Sequence, residues 1–568
     1  MFDGTARDHS DTGPGTNATL GGLRVGLLVD SLTQPLWRAR MIADLASRPD
    51  EARLALVILA RPRGDRPSGA RTLLGRLYAA ADGRLFGGGS DPMEAVREAV
   101  SLAGLVAGCP TVEVGGCGGT GPGSLTREQA GEIRGHRLDV VICLGAEPLP
   151  EEARGLARLG VWSFRLDGRR DDGGMDVGVR EVLSGRATTV ASLHDLADPG
   201  LRPLAVAHIK ADRRSARRHR DHVRVTSSSL LRCAWGSRAA GSPDAAPLEA
   251  ESAPAIGSGY PDNREMAALL ARFAARSAGY LWGRLLGREQ WFLACVVRDE
   301  GGAPCADLAG LRPTFPPSDR YWADPFPAVV NGRRFVFVEE VVYREGKGRI
   351  AVLELDGSGR VTSSRTAIER DCHLSYPFLF RHEGHFFMVP ETSADRSVEL
   401  YRCVDFPYRW ERERVLLEGL HAVDATLVER GGRWWMFANV AAEGAIYDFE
   451  ELHLFHAPSP SGPWRPHPRN PLKCDARSAR PAGRPFFRGG HWFRPAQDCS
   501  IRYGGAIALN RIVRWDLEGY EEVEASRIEP DWAPGLLATH TINACAGLTV
   551  LDGLRRRPRL AVGRGMDS

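Results

Sequence analysis

Lysine is nearly absent from this 568-residue sequence: Lys210, Lys347 and Lys473 are the three, and the other 71 of its 74 basic residues are arginine. Schiff-base, pyridoxal-phosphate and P-loop chemistries each need a lysine in a defined motif, and none of the three stands in one. Net charge is scarce as well. The 74 basic and 71 acidic residues leave +3, too little for a global nucleic-acid or membrane footprint. Anion binding must therefore be local, and no nucleic-acid partner is expected. The eleven cysteines stand singly, with no Cys-x-x-Cys pair for a zinc knuckle or redox dithiol, and read as reduced thiols. No uncharged apolar run reaches about 18 residues; the nearest, Tyr280 to Val297, is broken by Arg284, Arg288 and Glu289. The polar start, Met1 to Leu20, has neither the cationic nor the apolar segment of a secretory leader. The expectation is a cytoplasmic protein with no transmembrane segment.

What is present is globular: 43% hydrophobic and 26% charged residues, on a chain long enough for several domains at roughly 150 residues each. A disordered tail is expected over 1–21 and an α/β domain over 22–235. In that domain short aliphatic runs at Leu23 to Val29, Leu54 to Ala60 and Asp139 to Leu144 alternate with helical segments around Pro35 to Ala46 and Pro92 to Ala107. Strand and helix at this spacing predict an open, mostly parallel sheet. Residues 236–263, rich in Ala, Ser, Pro and Gly, read as a linker. Next, Met266, Leu269, Leu270, Phe273, Leu281 and Leu285 recur at helical spacing and predict an amphipathic helix over 264–286. Residues 287–560 are β in character.

The β region carries a weak internal repeat. Asp324-PFPAVVNGRRFVFVE, Tyr376-PFLFRHEGHFFMVPE, Asp424-ATLVERGGRWWMFAN and Ala482-GRPFFRGGHWFRPAQ align without gaps. Each has a glycine eight positions on, at Gly332, Gly384, Gly432 and Gly490, where a tight hairpin needs positive φ. Each ends in a polar side chain: Glu339, Glu391, Asn439 and Gln497. The starts are 52, 48 and 58 residues apart, the size of a propeller blade. A fifth unit is expected at His540-TINACAGLTVLDG, with Asp552-Gly553 as its turn. Inner strands line a propeller's axis, so the repeated acids should meet in one pocket and need arginines or a ligand to offset them.

The motifs ADPF, HLSYPF, PETS, VDATL, GPWRPHPRNP, ARPAG, RPAQD and HTIN resemble the N-terminal domain of plant glucosamine inositolphosphorylceramide transferases. Bacterial proteins of that group carry the same β domain behind a formyltransferase-like domain, the order found here. More distantly, the β half is similar to five-bladed propeller glycoside hydrolases. The resemblances imply a formyltransferase-like α/β open sheet followed by an all-β five-bladed β-propeller. They also imply roles: Asp324 as the Asp-Pro base, Asp424 as an orienting aspartate and Glu391 as the acid. Where formyltransferases place Asn-x-His, this chain has Arg165, and an arginine cannot act as a neutral proton shuttle.

Glycosidic chemistry needs one protonated and one ionised carboxyl across the sugar, which an acid-lined funnel supplies. The candidate catalytic set is Asp324, Asp424 and Glu391; the candidate substrate-binding set is Glu339, Tyr376, Arg480, Arg494, Gln497, Asp498 and His540. Arg480 and Arg494 serve either a substrate anion or the neighbouring acids. His373 and His540 lack metal-ligand spacing, so no metal is expected, and no cofactor is assigned. The run Lys210, Arg213, Arg214, Arg217, Arg218, His219 and Arg220 is one helix face, either solvated or facing anionic headgroups or nucleotide phosphates. The Gly115 to Gly123 stretch lacks the context of a dinucleotide loop. The reading is a carbohydrate-active protein of glycan or glycolipid assembly, with a carbohydrate or glycolipid substrate and glycosyl transfer favoured over hydrolysis. One alternative is formyl or one-carbon transfer to an amino sugar by the N-terminal domain; the other is a non-catalytic glycan-binding scaffold.

Overall fold

The aliphatic runs Leu23–Val29 and Ala52–Ala60 pair in parallel, because each is apolar on both faces and a helical segment lies between them. Val140–Cys143 adds on one side and Thr111–Val114 on the other, both parallel, in the order 140, 23, 52, 111. The structure, a computed structural model, describes residues 22–60, 72–87, 95–114, 125–145, 154–170, 177–198, 200, 202–239, 260–298, 303–304 and 308–558. The chain divides into two compact units, Met1–Gln34 with Ala39–Arg63 and Ser101–Trp162, and Pro35–Arg38 with Gly64–Val100 and Ser163–Ser568. The first unit holds the parallel strands. Its helix Arg127–Gly135 begins in a capping box, with Thr126 and Gln129 exchanging side-chain and backbone bonds.

The second unit contains β sheets in a propeller-like arrangement. Three antiparallel sheets have simple meander order: Arg320–Val330 to Val361–Ile368, Ser375–His382 to Arg409–Glu418, and Phe486–Arg488 to Tyr520–Ile528. A fourth runs from Ala422–Arg430 through Arg433–Val440 and Glu451–Ala457 to Lys473–Asp475. Another sheet joins the two ends of this region, since Gly287–Val297 pairs antiparallel with Leu548–Pro558 along its whole length. The aromatic strands pack between sheets: Phe326 meets Tyr376 at 4.9 Å between ring centroids, and Phe437 meets Trp515 at 5.2 Å. Each such side chain stabilises by roughly 1.5–3 kcal/mol when fully buried.

The repeat has a backbone basis. Its hairpins have two-residue turns, Asn331-Gly332, Glu383-Gly384, Gly431-Gly432 and Gly489-Gly490, with positive φ at both positions. The first strand of the first three repeats is bulged where the ladder skips between Ala323 and Phe326, Ser375 and Phe378, and Val423 and Thr426. The residue inside each bulge is left-handed, with φ 50° at Asp324, 42° at Tyr376 and 52° at Asp424. Non-glycine residues adopt this conformation at a cost of order 1–3 kcal/mol and keep it only where surrounding contacts hold it.

Several sequence expectations are corrected. Around 95–107 the described chain forms a short 3-10 turn and the strand Ala99–Ser101, not a helix. Its backbone bonds go elsewhere: the Glu98 carbonyl accepts from Leu36 N and Leu102 N donates to the Leu32 carbonyl. Asp552-Gly553 is no turn but lies within Leu548–Pro558, the hairpin turning instead at Ala546-Gly547, where φ is 45° and 78°. The basic run is not one helix face. Lys210 ends the strand Pro203–Lys210 with its ammonium donating to the Cys499 and Ser500 carbonyls, and the helix Ala216–Ser227 buries His219 and Arg220. Unforeseen from sequence, the strand Pro203–Lys210 pairs in parallel with Lys473–Asp475. The helix Asn263–Leu286 forms as expected, capped by Asp262, but buries only its first half. The glycine-rich Gly115 to Gly123 stretch, most of the linker and the tail 1–21 lie outside the described residues. Among the described residues, no helix is long and apolar enough to cross a membrane.

Candidate functional site

The bulges gather the repeat-start side chains. Asp324 accepts from Tyr376 N at 3.2 Å and from the Thr541 hydroxyl at 2.8 Å. The Tyr376 hydroxyl meets Thr426 at 2.8 Å and accepts from Gly483 N at 2.9 Å. Ile542 N donates to the Ala482 carbonyl, and Asn543 donates to the Pro325 carbonyl. These bonds run from the sheet holding Asp324 through the next three and return by way of 541–543. At Gly483, one position past the start of the fourth unit, φ is +130° and a Cβ would run into the Ile542 carbonyl, so the position requires glycine.

Arg480 sits among three acids. Its Nε donates to Asp424 Oδ2 at 2.6 Å, its Nη2 to Glu391 Oε2 at 3.3 Å, and its Nη1 to Asp448 Oδ1 at 3.1 Å. Gln497 donates to the same Asp424 oxygen at 3.0 Å, and Ser393 donates to Glu391 at 2.8 Å. Burial works against the charge of Arg480, but Asp424, Tyr503, Asp448 and Glu391 hold it firmly protonated. Burial, aided by Glu391 and Asp324 and opposed by Arg480, pushes the Asp424 carboxyl well above the usual range. The Asp424 side chain is 2% exposed, whereas that of Glu391 is 11% exposed, which makes Glu391 the more reachable of the pair.

Asp324 has the opposite character. Burial disfavours its charge, yet His540, Thr541 and Arg480 outweigh burial and hold it below the usual carboxylate range. His540 lies between two acids, with Nε2 3.2 Å from Asp324 Oδ1 and Nδ1 2.9 Å from Asp552 Oδ2. Burial opposes its protonation, but Asp552 and Asp324 raise it well above its ordinary value. Asp552 also accepts from the backbone N–H groups of Asp324, His540 and Thr541. Asp324, His540 and Asp552 lie close enough together to hold a cation. A single ion could not use both ring nitrogens, however, and each nitrogen already faces its own carboxylate, so the contacts fit an ion-paired triad better.

Glu339 accepts from the Tyr321 hydroxyl and pairs with His373, each at 3.0 Å. Burial and the nearby Asp324 raise its carboxyl, against the lowering effect of His373 and Tyr321. Of the residues singled out from sequence, Asp324, Glu339, Glu391, Tyr376, Asp424, Arg480, Gln497 and His540 belong to this connected cluster. Arg494 and Asp498 are engaged elsewhere: Arg494 pairs with Glu522 at 2.6 Å and donates to the Ser478 and Ala479 carbonyls, while Asp498 pairs with Arg527. Asn439, at the ladder position that Glu339 and Glu391 hold in their own sheets, is buried with neither amide atom partnered among the described residues.

Sequence reasoning missed Tyr503, whose ring lies 5.0 Å from the Arg480 guanidinium and 5.6 Å from the His540 ring. It missed Asp448 and placed Asp552 in a turn. These three lie outside the aligned repeats, so only the Asp552 motif carried a signal, and it was read with the wrong register.

The profile described as “Glucosamine inositolphosphorylceramide transferase 1, N-terminal” matches residues 304–531. Glucosamine inositolphosphorylceramide transferase 1 of Oryza sativa subsp. japonica is 34% identical over 234 residues, 41% of this chain and 29% of that protein. The Arabidopsis thaliana protein of the same name is 32% identical over 237 residues, 40% of this chain and 31% of its own length. The chain thus spans less than a third of these curated relatives. Among solved structures, Zg3597, a family 117 glycoside hydrolase from Zobellia galactanivorans, is 12% identical and covers 48% of this chain and 93% of its own, with a TM-score of 0.31. The Cellvibrio cellulosa alpha-L-arabinanase is 14% identical and covers 36% of this chain and 77% of its own, with a TM-score of 0.27. At these scores the likeness says nothing of the chemistry.

Proposed function

We propose that the second unit is a carbohydrate-active site of glycolipid assembly that performs glycosyl transfer at the Asp324, Glu391 and Asp424 cluster. The carrying observation is that these acids, from three different sheets, meet in one network in which the proton affinities of Asp324 and Asp424 are pushed apart. Such a split is what acid–base work on a glycosidic bond requires. The names of the plant relatives point to the same class of chemistry. We read the sheet of Gly287–Val297 and Leu548–Pro558 as a fifth blade closing the propeller, and the α/β domain over 22–235 as formyltransferase-like. Arg165 in place of a histidine argues against one-carbon transfer there.

In this reading Asp324, held ionised by His540, is the base. Glu391, the more accessible acid, delivers the proton, and Asp424 tunes it through their shared Arg480. Asn439 offers its unpartnered amide to a sugar hydroxyl. Deletion of the Asp424 carboxyl would leave Arg480 to Glu391 and Asp448. The test is turnover of a panel of nucleotide-sugar donors with glycolipid acceptors, alongside hydrolysis of aryl glycosides. Asp324→Asn and Glu391→Gln should each lower turnover by about 10² or more while the thermal melt stays cooperative. Full activity in both variants removes the cluster from the mechanism; sugar binding without turnover in the parent assigns the propeller to a binding role.

A further inference from the structure

The helix Asn263–Leu286 changes character halfway along. Met266 and Leu269 are buried against Val179, Val182, Leu183 and Ala216. About three turns later the same helix exposes Leu281 by 60%, Trp282 by 65%, Leu285 by 66% and Leu286 by 58%, with Tyr280 at 51%. Leu281, Trp282, Leu285 and Leu286 are spaced i, i+1, i+4 and i+5, so they share one face about 140° wide. Gly283 lies on the opposite side, beside the Arg556 side chain of the strand Leu548–Pro558. The apolar face therefore points away from the body of the unit. Scattered apolar residues need no explanation, but four large ones on one face with nothing among the described residues packed over them mark a contact surface.

The charges around it say what fits. From Ala271 to Arg288 the sequence has four arginines and no acid. Arg276 is committed to the fold, donating to the Val182 and Leu183 carbonyls. Arg284 lies over the Tyr280 ring at 5.9 Å, and Arg288 over the Tyr343 ring at 4.5 Å. The neighbouring acid, Glu289, is already paired with Arg502 at 2.9 Å and Arg556 at 3.5 Å. A second copy of this helix would set arginine against arginine with no carboxylate between them. An anionic lipid surface complements both features: Leu and Trp enter the headgroup boundary while arginines meet lipid phosphates.

We propose that the C-terminal half of Asn263–Leu286, with Arg284, Arg288 and Arg556 at its rim, is a docking surface for an anionic membrane. The helix lies on the bilayer without crossing it. This surface takes the place of the Lys210 to Arg220 run, whose members are partly buried in the fold. It does not depend on the chemistry of the acidic cluster, and its test does not read turnover.

The test is co-sedimentation of the full chain with phosphatidylcholine vesicles, plain or carrying roughly 30 mol% phosphatidylserine, at low salt and at about 0.5 M NaCl. Binding to the anionic vesicles should exceed binding to the neutral ones about tenfold and fall at high salt. The variant Leu281→Ser/Trp282→Ser/Leu285→Ser/Leu286→Ser should lose binding about tenfold or more with an unchanged thermal melt. A second variant, Arg284→Gln/Arg288→Gln, keeps the apolar face and should lose the anionic preference alone. Equal binding by parent and serine variant overturns the proposal, as does failure of the parent to bind either vesicle. Concentration-dependent self-association of the parent that the serine variant abolishes would assign the face to a second copy and overturn it too.

Discussion

Replacing His540 by glutamine tests the electrostatic centre of the cluster. The substitution leaves a side chain of similar reach but removes the cation between Asp324 and Asp552. Breaking a buried ion pair from one side costs about 3–5 kcal/mol, since the remaining charge is left uncompensated. Here the lower end applies. Asp552 keeps three backbone N–H donors, and Asp324 keeps the Thr541 hydroxyl and the Tyr376 N–H. A loss of about 3 kcal/mol is therefore expected in denaturant unfolding near pH 6. The pH dependence follows from the raised imidazole. Its contribution is complete below the unfolded value of about 6.5 and is lost as the pH rises through the higher folded value. The gap between parent and His540→Gln should thus be widest in mildly acidic buffer and narrow on the alkaline side. Adding Asp324→Asn to the glutamine variant should recover about 1 kcal/mol or more by removing one stranded charge. A gap under about 1 kcal/mol near pH 6, or one that widens with rising pH, refutes the triad.

Glu522 offers an acid-side counterpart. Burial would raise it, but Arg494 and Lys473 hold it down at about 2, so its contribution of about 3 kcal/mol is present at neutral pH and lost as the pH falls from about 5 towards 2; Glu522→Gln should flatten that part of the stability profile. Asn439→Leu removes an unpartnered buried amide and should leave the melting temperature unchanged or raised while weakening sugar binding about tenfold or more; a lowered melting temperature would show that the amide already has a structural partner. Gly483→Ala should cost roughly 2–3 kcal/mol, measured by urea unfolding, because the left-handed φ and the Ile542 carbonyl both oppose a Cβ; an unchanged midpoint would show that the inner strands can shift. Lys210→Met strands the Cys499 and Ser500 carbonyls and should cost about 1–3 kcal/mol in the same assay.

Much of the β region was legible because its signals are local. A two-residue turn with positive φ at both positions demands glycine at the second, and Gly332, Gly384, Gly432 and Gly490 announced four such hairpins. Their fixed spacing from Glu339, Glu391, Asn439 and Gln497 made the ladder positions readable as well. The helix Asn263–Leu286 and the strand Leu23–Val29 followed from periodicity and apolar runs in the same way.

What the chain could not declare locally was decided by contacts distant in sequence. Arg494 and Arg480 stand in the same Arg-Pro-Ala motif, yet one pairs with Glu522 and the other reaches Asp424, Glu391 and Asp448, a choice made only by which strands face each other. Asp552 looked like a turn residue until pairing with Gly287–Val297 drew its segment into a long strand and set its carboxylate against His540. Leu281 and Leu285 share the periodicity of Met266 and Leu269, but periodicity states only which side chains align, not what covers them. Turn chemistry and hydrophobic period thus wrote the elements into the sequence. Charge compensation and burial, which depend on through-space neighbours, emerged only when the sheets assembled.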